Sequence, residues 1–242
     1  MIESLVQRPV PSLLHLDSSA DAGSVSKRLT TVFADIWRNA HGAAGYRYRD
    51  LSADPVPLVG PAYVALGTRV ERHGVVPASR VAELIEDAAE EREWALTRSL
   101  IEQVLAADVL LFGVPMYNLS IPATLKAWID RVTFPGMFTD PDTGDSLLRD
   151  TRVVVVMARG GSYGPGAPRE GLDFQTPYLR AYFRNLGVAE ENLHFVAAEL
   201  TRAGDIPALA GFQEMAGKSL AAAREAVTAL ATRLAEPSMA TS

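Results

Sequence analysis

The chain has 242 residues, of which 48% are hydrophobic and 21% charged, a composition typical of globular rather than disordered or fibrous proteins. It contains no cysteine, which excludes disulfides, thiolate metal sites and cysteine nucleophiles and suits a reducing compartment. The net charge of −6 argues against nucleic-acid binding. No apolar run predicts a membrane span, and residues 1–16 lack a cationic signal-peptide start. We therefore expect a cytoplasmic protein with no nucleic acid or membrane partner.

Short apolar runs alternate with helical patterns along the N-terminal half. The run Leu13-Leu14-His15-Leu16 leads into a turn rich in Ser and Gly, and apolar residues then recur at helical spacing. Asp108–Val114 is apolar without alternation, which is typical of a strand buried on both faces. The predicted elements are a strand at 13–16, a helix at 26–40, a strand at 46–51, a loop at 54–67, a helical stretch at 78–106 with room for one break, and a strand at 108–114.

The same alternation continues in the C-terminal half. Four consecutive valines, Val153–Val156, give the strongest central-strand signal in the chain, and Gly187 is suited to end a helix. The predicted elements are a helix at 123–133, a loop at 133–148, a strand at 152–157, a helix at 172–185, a strand at 193–197 and a helix at 208–234.

Five strands alternating with helices predict an α/β fold with one doubly wound parallel sheet. Right-handed crossovers leave few topologies, and the strand order 2-1-3-4-5 is the simplest for five strands. No linker or internal repeat divides the chain, so we expect one domain over 1–242 with an ordered core at about 12–235. Ligands bind beyond the carboxyl ends of such strands, which directs attention to the loops after strands one, three and four.

The first of these loops, residues 18–26, is rich in serine and leads into a helix. Small hydroxyl residues at a helix N-terminus form an anion site, because free backbone N–H groups and side-chain donors converge there. The loop has neither the GxGxxG pattern of dinucleotide sites nor the GxxxxGK[ST] pattern of NTPases. A single phosphate is the ligand this loop favours, although Ser24 as a plain helix cap explains the same residues.

The second loop, Pro115–Pro122, presents Met116, Tyr117, Asn118 and Leu119 between two prolines. Apolar side chains on a stiffened loop suit a flat ring, with backbone groups available to the ring edge. The alternative is that Met116 and Tyr117 pack into the core.

The third loop contains Arg159-Gly160-Gly161-Ser162, in which the glycines permit close backbone approach to a ligand and Arg159 could counter negative charge. It also matches the GxSxG pattern of serine hydrolases, with Asp173 and His194 following in the right order. No helix follows Ser162 directly and His194 lies in a predicted strand, which argues against hydrolysis. No residue spacing predicts a metal site.

Together the three loops resemble the FMN-dependent NADH-azoreductase and quinone reductase family, which has a flavodoxin-like fold. The resemblance spans about 13–235. It rests on Asp17-Ser18-Ser19 with Ser24-Val25-Ser26, on Pro-Met-Tyr-Asn-Leu at 115–119 and on Ala-Arg-Gly-Gly at 158–161. The cofactor-binding residues it implies are Ser19, Ser24, Val25 and Ser26 for the FMN phosphate, Pro115, Met116, Tyr117, Asn118 and Leu119 for the flavin ring, and Arg159, Gly160 and Gly161 for its opposite edge.

The resemblance further implies an oxidoreductase that passes hydride from NADH or NADPH through FMN to a quinone, an azo compound or a related aromatic acceptor. It implies a homodimer with shared active sites and requires no catalytic side chain. Phe138, Tyr163 and Phe174 are candidates for the substrate-facing wall. A flavodoxin-type electron carrier is the alternative, but the long segments 60–80 and 134–148 favour a covered pocket.

Overall fold

All five strands pair in parallel in a single sheet. The computed structural model describes residues 10–236, so the expectations for the chain ends fall on 1–9 and 237–242, outside the described residues. The sheet order is β2-β1-β3-β4-β5, which confirms the predicted α/β class and topology. The strands are β1 (Leu13–Asp17), β2 (Tyr46–Asp50), β3 (Val109–Pro115), β4 (Arg152–Ala158) and β5 (Leu193–Ala198).

Helices cover both faces of the sheet. One face carries α1 (Val25–His41) and α6 (Gln213–Ala235). The other carries α2 (Pro61–Arg72), α3 (Ala88–Leu105), α4 (Ala123–Val132) and α5 (Gln175–Asn185). Short 3-10 helices occupy Ala78–Leu84, Glu190–Asn192 and Pro207–Phe212. Within residues 10–236, none of the helices combines the length and the apolar character of a membrane span.

The valine run of β4 shows why the central strands are apolar throughout. Val153 and Val155 belong to the core beneath α2–α5, whereas Val154 and Val156 belong to the core beneath α1 and α6. Successive side chains of a strand point to opposite faces, so a strand covered on both sides needs an apolar residue at every position.

Two helical predictions need correction, and the break that the prediction for 78–106 allowed is present. The expected loop at 54–67 contains the start of α2, which begins at Pro61 and buries Tyr63, Leu66, Gly67 and Val70, a helical spacing that the Pro and Gly residues obscured. The stretch 78–106 is two helices, because the Asp87 carboxylate accepts the N–H groups of Ala89 and Glu90 and starts α3 afresh. The last helix is likewise divided, with a 3-10 turn before α6.

Asp17 and Gly113 make a tight contact between β1 and β3, directly before the first loop. Asp17 is 2% exposed, and its carboxylate accepts hydrogen bonds from Thr30 Oγ1 at 2.9 Å and Tyr48 Oη at 3.1 Å. Gly113 pairs with it in register, and a Cβ on Gly113 would lie 2.0 Å from Asp17 Oδ1. The Gly113 carbonyl accepts both the N–H and the hydroxyl of Ser18. The start of the first loop is thus held against β3.

We expect Gly113→Ala to lower the free energy of unfolding by about 1–3 kcal/mol, because Asp17 must move and its hydrogen bonds must distort. Gly217→Ala is the matched control, since Gly217 lies in α6 with open space around it. Added helix propensity there should stabilise the protein by about 0.5–1 kcal/mol. Urea unfolding measures both; equal effects of the two substitutions would contradict the close approach.

Candidate functional site

The loops after β1, β3 and β4 meet at one edge of the sheet and line two adjoining cavities. The serine cavity, of about 520 Å³, is lined by residues that include Ser19, Ser24, Val25, Pro115 and Tyr117. The wide cavity, of about 730 Å³, is lined by residues that include Asn118, Leu119, Gly161 and Tyr163. Met116, Gly160 and Arg202 line both cavities, so the two form a continuous cleft.

Unused hydrogen-bond donors surround the serine cavity. Within the described part of the chain, the backbone N–H groups of Val25, Ser26 and Lys27 at the start of α1 have no acceptor. The hydroxyls of Ser24 and Ser26 are 2.9 Å apart and bond to each other, and Ser24 makes no side-chain cap to the helix. The donors and the positive end of the helix together suit an anion such as a phosphate group.

The Met-Tyr-Asn loop is a tight turn with a strained backbone. Tyr117 and Ser120 exchange two backbone hydrogen bonds, of 2.9 and 3.1 Å. The two residues between them, Asn118 and Leu119, have φ angles of 47° and 72°. Positive φ is costly for leucine, and such strain concentrates at functional sites. The Tyr117 hydroxyl accepts the Ala20 N–H at 3.1 Å, which ties this turn to the first loop.

Arg159 does not line either cavity. It is 5% exposed, and its guanidinium forms ion pairs with Asp173 at 2.9 Å and Glu199 at 3.3 Å. It also donates to the side chains of Gln175 and Thr176. Its backbone N–H bonds to Ala198 and its carbonyl accepts from Thr201. These contacts correct the expectation that the charge of Arg159 faces the ligand; the side chain instead positions the turn that follows it.

Glu199, the residue directly after β5, fixes the other side of the same turn. Its carboxylate accepts the Ser162 hydroxyl at 2.7 Å and the Tyr163 N–H at 3.2 Å, in addition to its pairing with Arg159. Leu200, the next residue, has a φ of 56° and donates its N–H to the Gly161 carbonyl at 3.1 Å. The Gly160–Gly161 segment is therefore held from both sides.

The three candidates for a substrate-facing wall have different positions. Tyr163 lines the wide cavity, and its hydroxyl accepts from Arg169 at 3.1 Å. Phe174 bonds through its N–H to the Leu119 carbonyl, but its ring is exposed outside the cavity lining. Phe138 lines a separate cavity beside the C-terminal ends of α4 and α5. Within one protomer Phe138 therefore lies away from the wide cavity, because these helices end where the next strands begin, at the opposite edge of the sheet.

The same connectivity places parts of the long segments 60–80 and 134–148 at that opposite edge. Residues 134–139 of the long loop line the Phe138 cavity together with Val75, from the segment after α2. Within one protomer, this part of the 134–148 loop and the 60–80 segment therefore does not cover the wide cavity.

The Ser162 side chain has the wrong partner for a hydrolase nucleophile. Its hydroxyl donates to the Glu199 carboxylate, not to an imidazole. His194 pairs in register with Val154 inside the sheet, and burial, helped by the charges of Arg233 and Arg152, lowers its pKa. The hydrolase interpretation is therefore wrong.

The loop after β5 supplies the cavity walls that the sequence reading missed. Besides Leu200 and Arg202, it contributes Ile206, Leu209 and Phe212, and α6 contributes Met215. Arg28, from α1, also lines the serine cavity. The predicted topology could have indicated these residues, because in a parallel sheet β5 ends at the same edge as β1, β3 and β4. Ser26 is not among the residues that line the serine cavity.

Residues 10–236 contain no cluster of His, Asp and Glu arranged to hold a metal ion.

A family model described as flavodoxin-like fold matches residues 11–222 of the chain, so the protein belongs to this family. A relative in Nocardia farcinica named FMN-dependent NADH:quinone oxidoreductase is 42% identical over 201 residues, covering 83% of this chain and 88% of the relative. A relative of the same name in Frankia casuarinae is 40% identical over 218 residues, covering 90% and 97%. Within the flavodoxin-like fold, the chain therefore belongs to the FMN-dependent NADH:quinone oxidoreductase family.

Solved structures show the same fold. An azoreductase from Bacillus anthracis aligns with a TM-score of 0.73 at 22% identity, covering 92% of this chain and 99% of that one. A second structure, of an FMN-dependent NADH-azoreductase from Bacillus anthracis in complex with FMN, aligns with a TM-score of 0.72 at 20% identity, covering 93% and 100%.

We expect Asp173 to make stability dependent on acid pH. Burial raises the pKa of its carboxyl, but hydrogen bonds from Thr176 and Gln175 and the charge of Arg159 outweigh burial, so the pKa lies below its usual value. A depressed pKa contributes stability that is lost as the pH falls from the unfolded pKa of about 3.9 through the folded one.

The free energy of unfolding, measured by urea titration from about pH 6 to pH 3, should therefore decline less steeply in Asp173→Asn than in the wild type. Asp142→Asn is the control, because within the described residues the Asp142 side chain accepts no hydrogen bond. Identical pH profiles for the wild type and Asp173→Asn would refute the coupling.

Proposed function

We propose that this protein is an FMN-dependent oxidoreductase that uses NADH to reduce a quinone, an azo compound or a related aromatic acceptor. The observation that carries the proposal is the continuous cleft in which an anion-binding helix start adjoins a wide cavity through Met116, Gly160 and Arg202. This layout matches a flat coenzyme with one phosphate. Membership in the quinone oxidoreductase family supports both the cofactor and the acceptor, and the names of the relatives specify NADH.

The residues of the cleft fit FMN. Ser19, Ser24 and the free N–H groups of Val25 and Ser26 would hold the phosphate. The turn from Pro115 to Leu119 and the segment Gly160–Gly161 would flank the ring, and the glycines leave the backbone accessible there. Arg159 would act indirectly, by keeping the segment Gly160–Gly161 in position. When bound, FMN supplies the hydride transfer chemistry, and the protein supplies binding, orientation and electrostatics.

The lining of the wide cavity explains why no catalytic side chain is proposed. Among the described residues that line it, the charged ones are Arg169 and Arg202, and none is a carboxylate or an imidazole. Arg169 favours negative charge on a bound ligand, whereas the charge of Arg202 is offset by Asp205 at 3.7 Å. Leu119, Leu200 and Phe212 exclude water from the remaining wall and suit an aromatic acceptor. Protons for the reduced acceptor would come from water.

We further propose that the enzyme is a cytoplasmic homodimer with shared active sites. The absence of cysteine supports a reducing compartment. Exposed apolar side chains beside the cleft, including Phe174 and Met215, support coverage by a partner, because water-facing apolar groups gain free energy on burial.

The purified protein reconstituted with FMN should be yellow and should lose its visible flavin absorbance when NADH is added without oxygen. A quinone added afterwards should restore the colour and sustain steady NADH oxidation. Flavin-free protein is the control for uncatalysed oxidation. Failure to bind FMN, or binding without bleaching by NADH, would defeat the proposed reductase; the second result is the one expected of a one-electron carrier.

The double substitution Ser24→Ala/Ser26→Ala should weaken FMN binding at least about tenfold, because it removes the Ser24 hydroxyl, whose hydrogen bond to a charged phosphate would contribute about 1.5–3 kcal/mol, together with the Ser26 hydroxyl that bonds to it. Riboflavin, which lacks the phosphate, should bind wild type and variant equally. Fluorescence titration gives both constants, and circular dichroism checks that α1 remains folded. Unchanged FMN affinity would refute the assignment of the phosphate to the serine cavity.

A further inference from the structure

Arg28 is a cation at the serine cavity whose side chain has no partner among the described residues. It lies one turn past Ser24 on α1, donates its backbone N–H to the Ser24 carbonyl at 3.1 Å, and is among the residues that line the cavity. Nearby cations on the same helix are paired: Lys27 binds Asp50 at 2.6 Å and Arg38 binds Asp35. Within residues 10–236 the Arg28 guanidinium has neither an ion pair nor a hydrogen bond.

The position of Arg28 on the helix directs it toward the free donors. Side chains in an α-helix lean toward its N-terminus and cover the turn before their own Cα. For Arg28 that turn carries the unsatisfied N–H groups of Val25 and Ser26. An anion bound to those groups would therefore lie within the reach of the guanidinium.

Without Arg28, the charged side chains around the serine cavity would repel an anion. Arg202 is 3.7 Å from Asp205, and both line the cavity, so their charges offset each other. Asp21 also lines it, with its carboxylate accepting the Gly23 N–H at 2.8 Å. Apart from Arg28, the charged side chains around the cavity thus sum to one negative charge. A phosphate monoester carries about −1.5 to −2 at pH 7 and would be repelled by that carboxylate.

We propose that Arg28 binds the phosphate of FMN and extends the serine site by a charged contact. The inference rests on the proposed function, which places the phosphate in the serine cavity. A guanidinium can donate two parallel hydrogen bonds to phosphate oxygens, and such charge-assisted bonds are about twice as strong as neutral ones. Arg28 therefore gives the site preference for the phosphorylated coenzyme over its dephosphorylated form.

The test is equilibrium binding of FMN and of riboflavin to the full-length protein stripped of flavin, followed by flavin fluorescence. Arg28→Gln should raise the Kd for FMN about tenfold, which corresponds to about 1.4 kcal/mol. It should leave the Kd for riboflavin unchanged. It should also flatten the dependence of the FMN affinity on salt, because one screened ion pair is lost.

Two further variants separate a phosphate contact from a general effect of charge or folding. Arg28→Lys keeps the positive charge and should therefore bind FMN more tightly than Arg28→Gln, but less tightly than the wild type. Arg38→Gln removes a positive charge from the same helix outside the serine cavity and should behave like the wild type toward both flavins.

The inference is overturned if Arg28→Gln leaves FMN binding unchanged, or weakens FMN and riboflavin equally. Either result would leave the proposed function intact as long as the wild type binds FMN and oxidises NADH. Failure of the wild type to bind FMN at all would instead remove the proposed function and this inference with it.

Discussion

Parallel pairing of all five strands is the constraint on which the site depends. It brings the carboxyl ends of β1, β3, β4 and β5 to one edge, so loops far apart in the sequence become neighbours. The close contact of Asp17 with Gly113 sets the spacing between the first and second loops. A larger residue at 113 would push apart the strands from which the phosphate and ring contacts arise.

A set of charges centred on the buried Arg159 holds the third loop. Arg159 joins Asp173 at the start of α5 to Glu199 at the end of β5, and Glu199 in turn binds the turn residues Ser162 and Tyr163. Asp173 and Glu199 together compensate the buried guanidinium of Arg159, which would be costly to bury unpaired. The arrangement keeps Gly160 and Gly161 open toward the cleft without using the arginine as a ligand contact.

Backbone strain is concentrated around the wide cavity. Asn118, Leu119 and Leu200 are the described residues other than glycine with positive φ, and all three line the wide cavity. Asparagine tolerates this conformation, whereas leucine has no local hydrogen bond to offset its cost. Backbone hydrogen bonds hold the leucines in place, from Phe174 to the Leu119 carbonyl and from Leu200 to the Gly161 carbonyl. Leucine at these positions gives the cavity apolar walls that glycine would not provide.

Apolar runs and serine or glycine clusters are local patterns, so the strands and the donor chemistry of the three loops could be predicted from the sequence. The strand order, which the structure confirms, was predicted as the simplest topology for five parallel strands. The sequence did not reveal that the Arg159 side chain points away from the cleft, because its partners Asp173 and Glu199 belong to other segments. Nor did it reveal the walls after β5 or the separation of Phe138 from the cleft. Only the tertiary structure decided these points, since each depends on contacts between segments that no local pattern encodes.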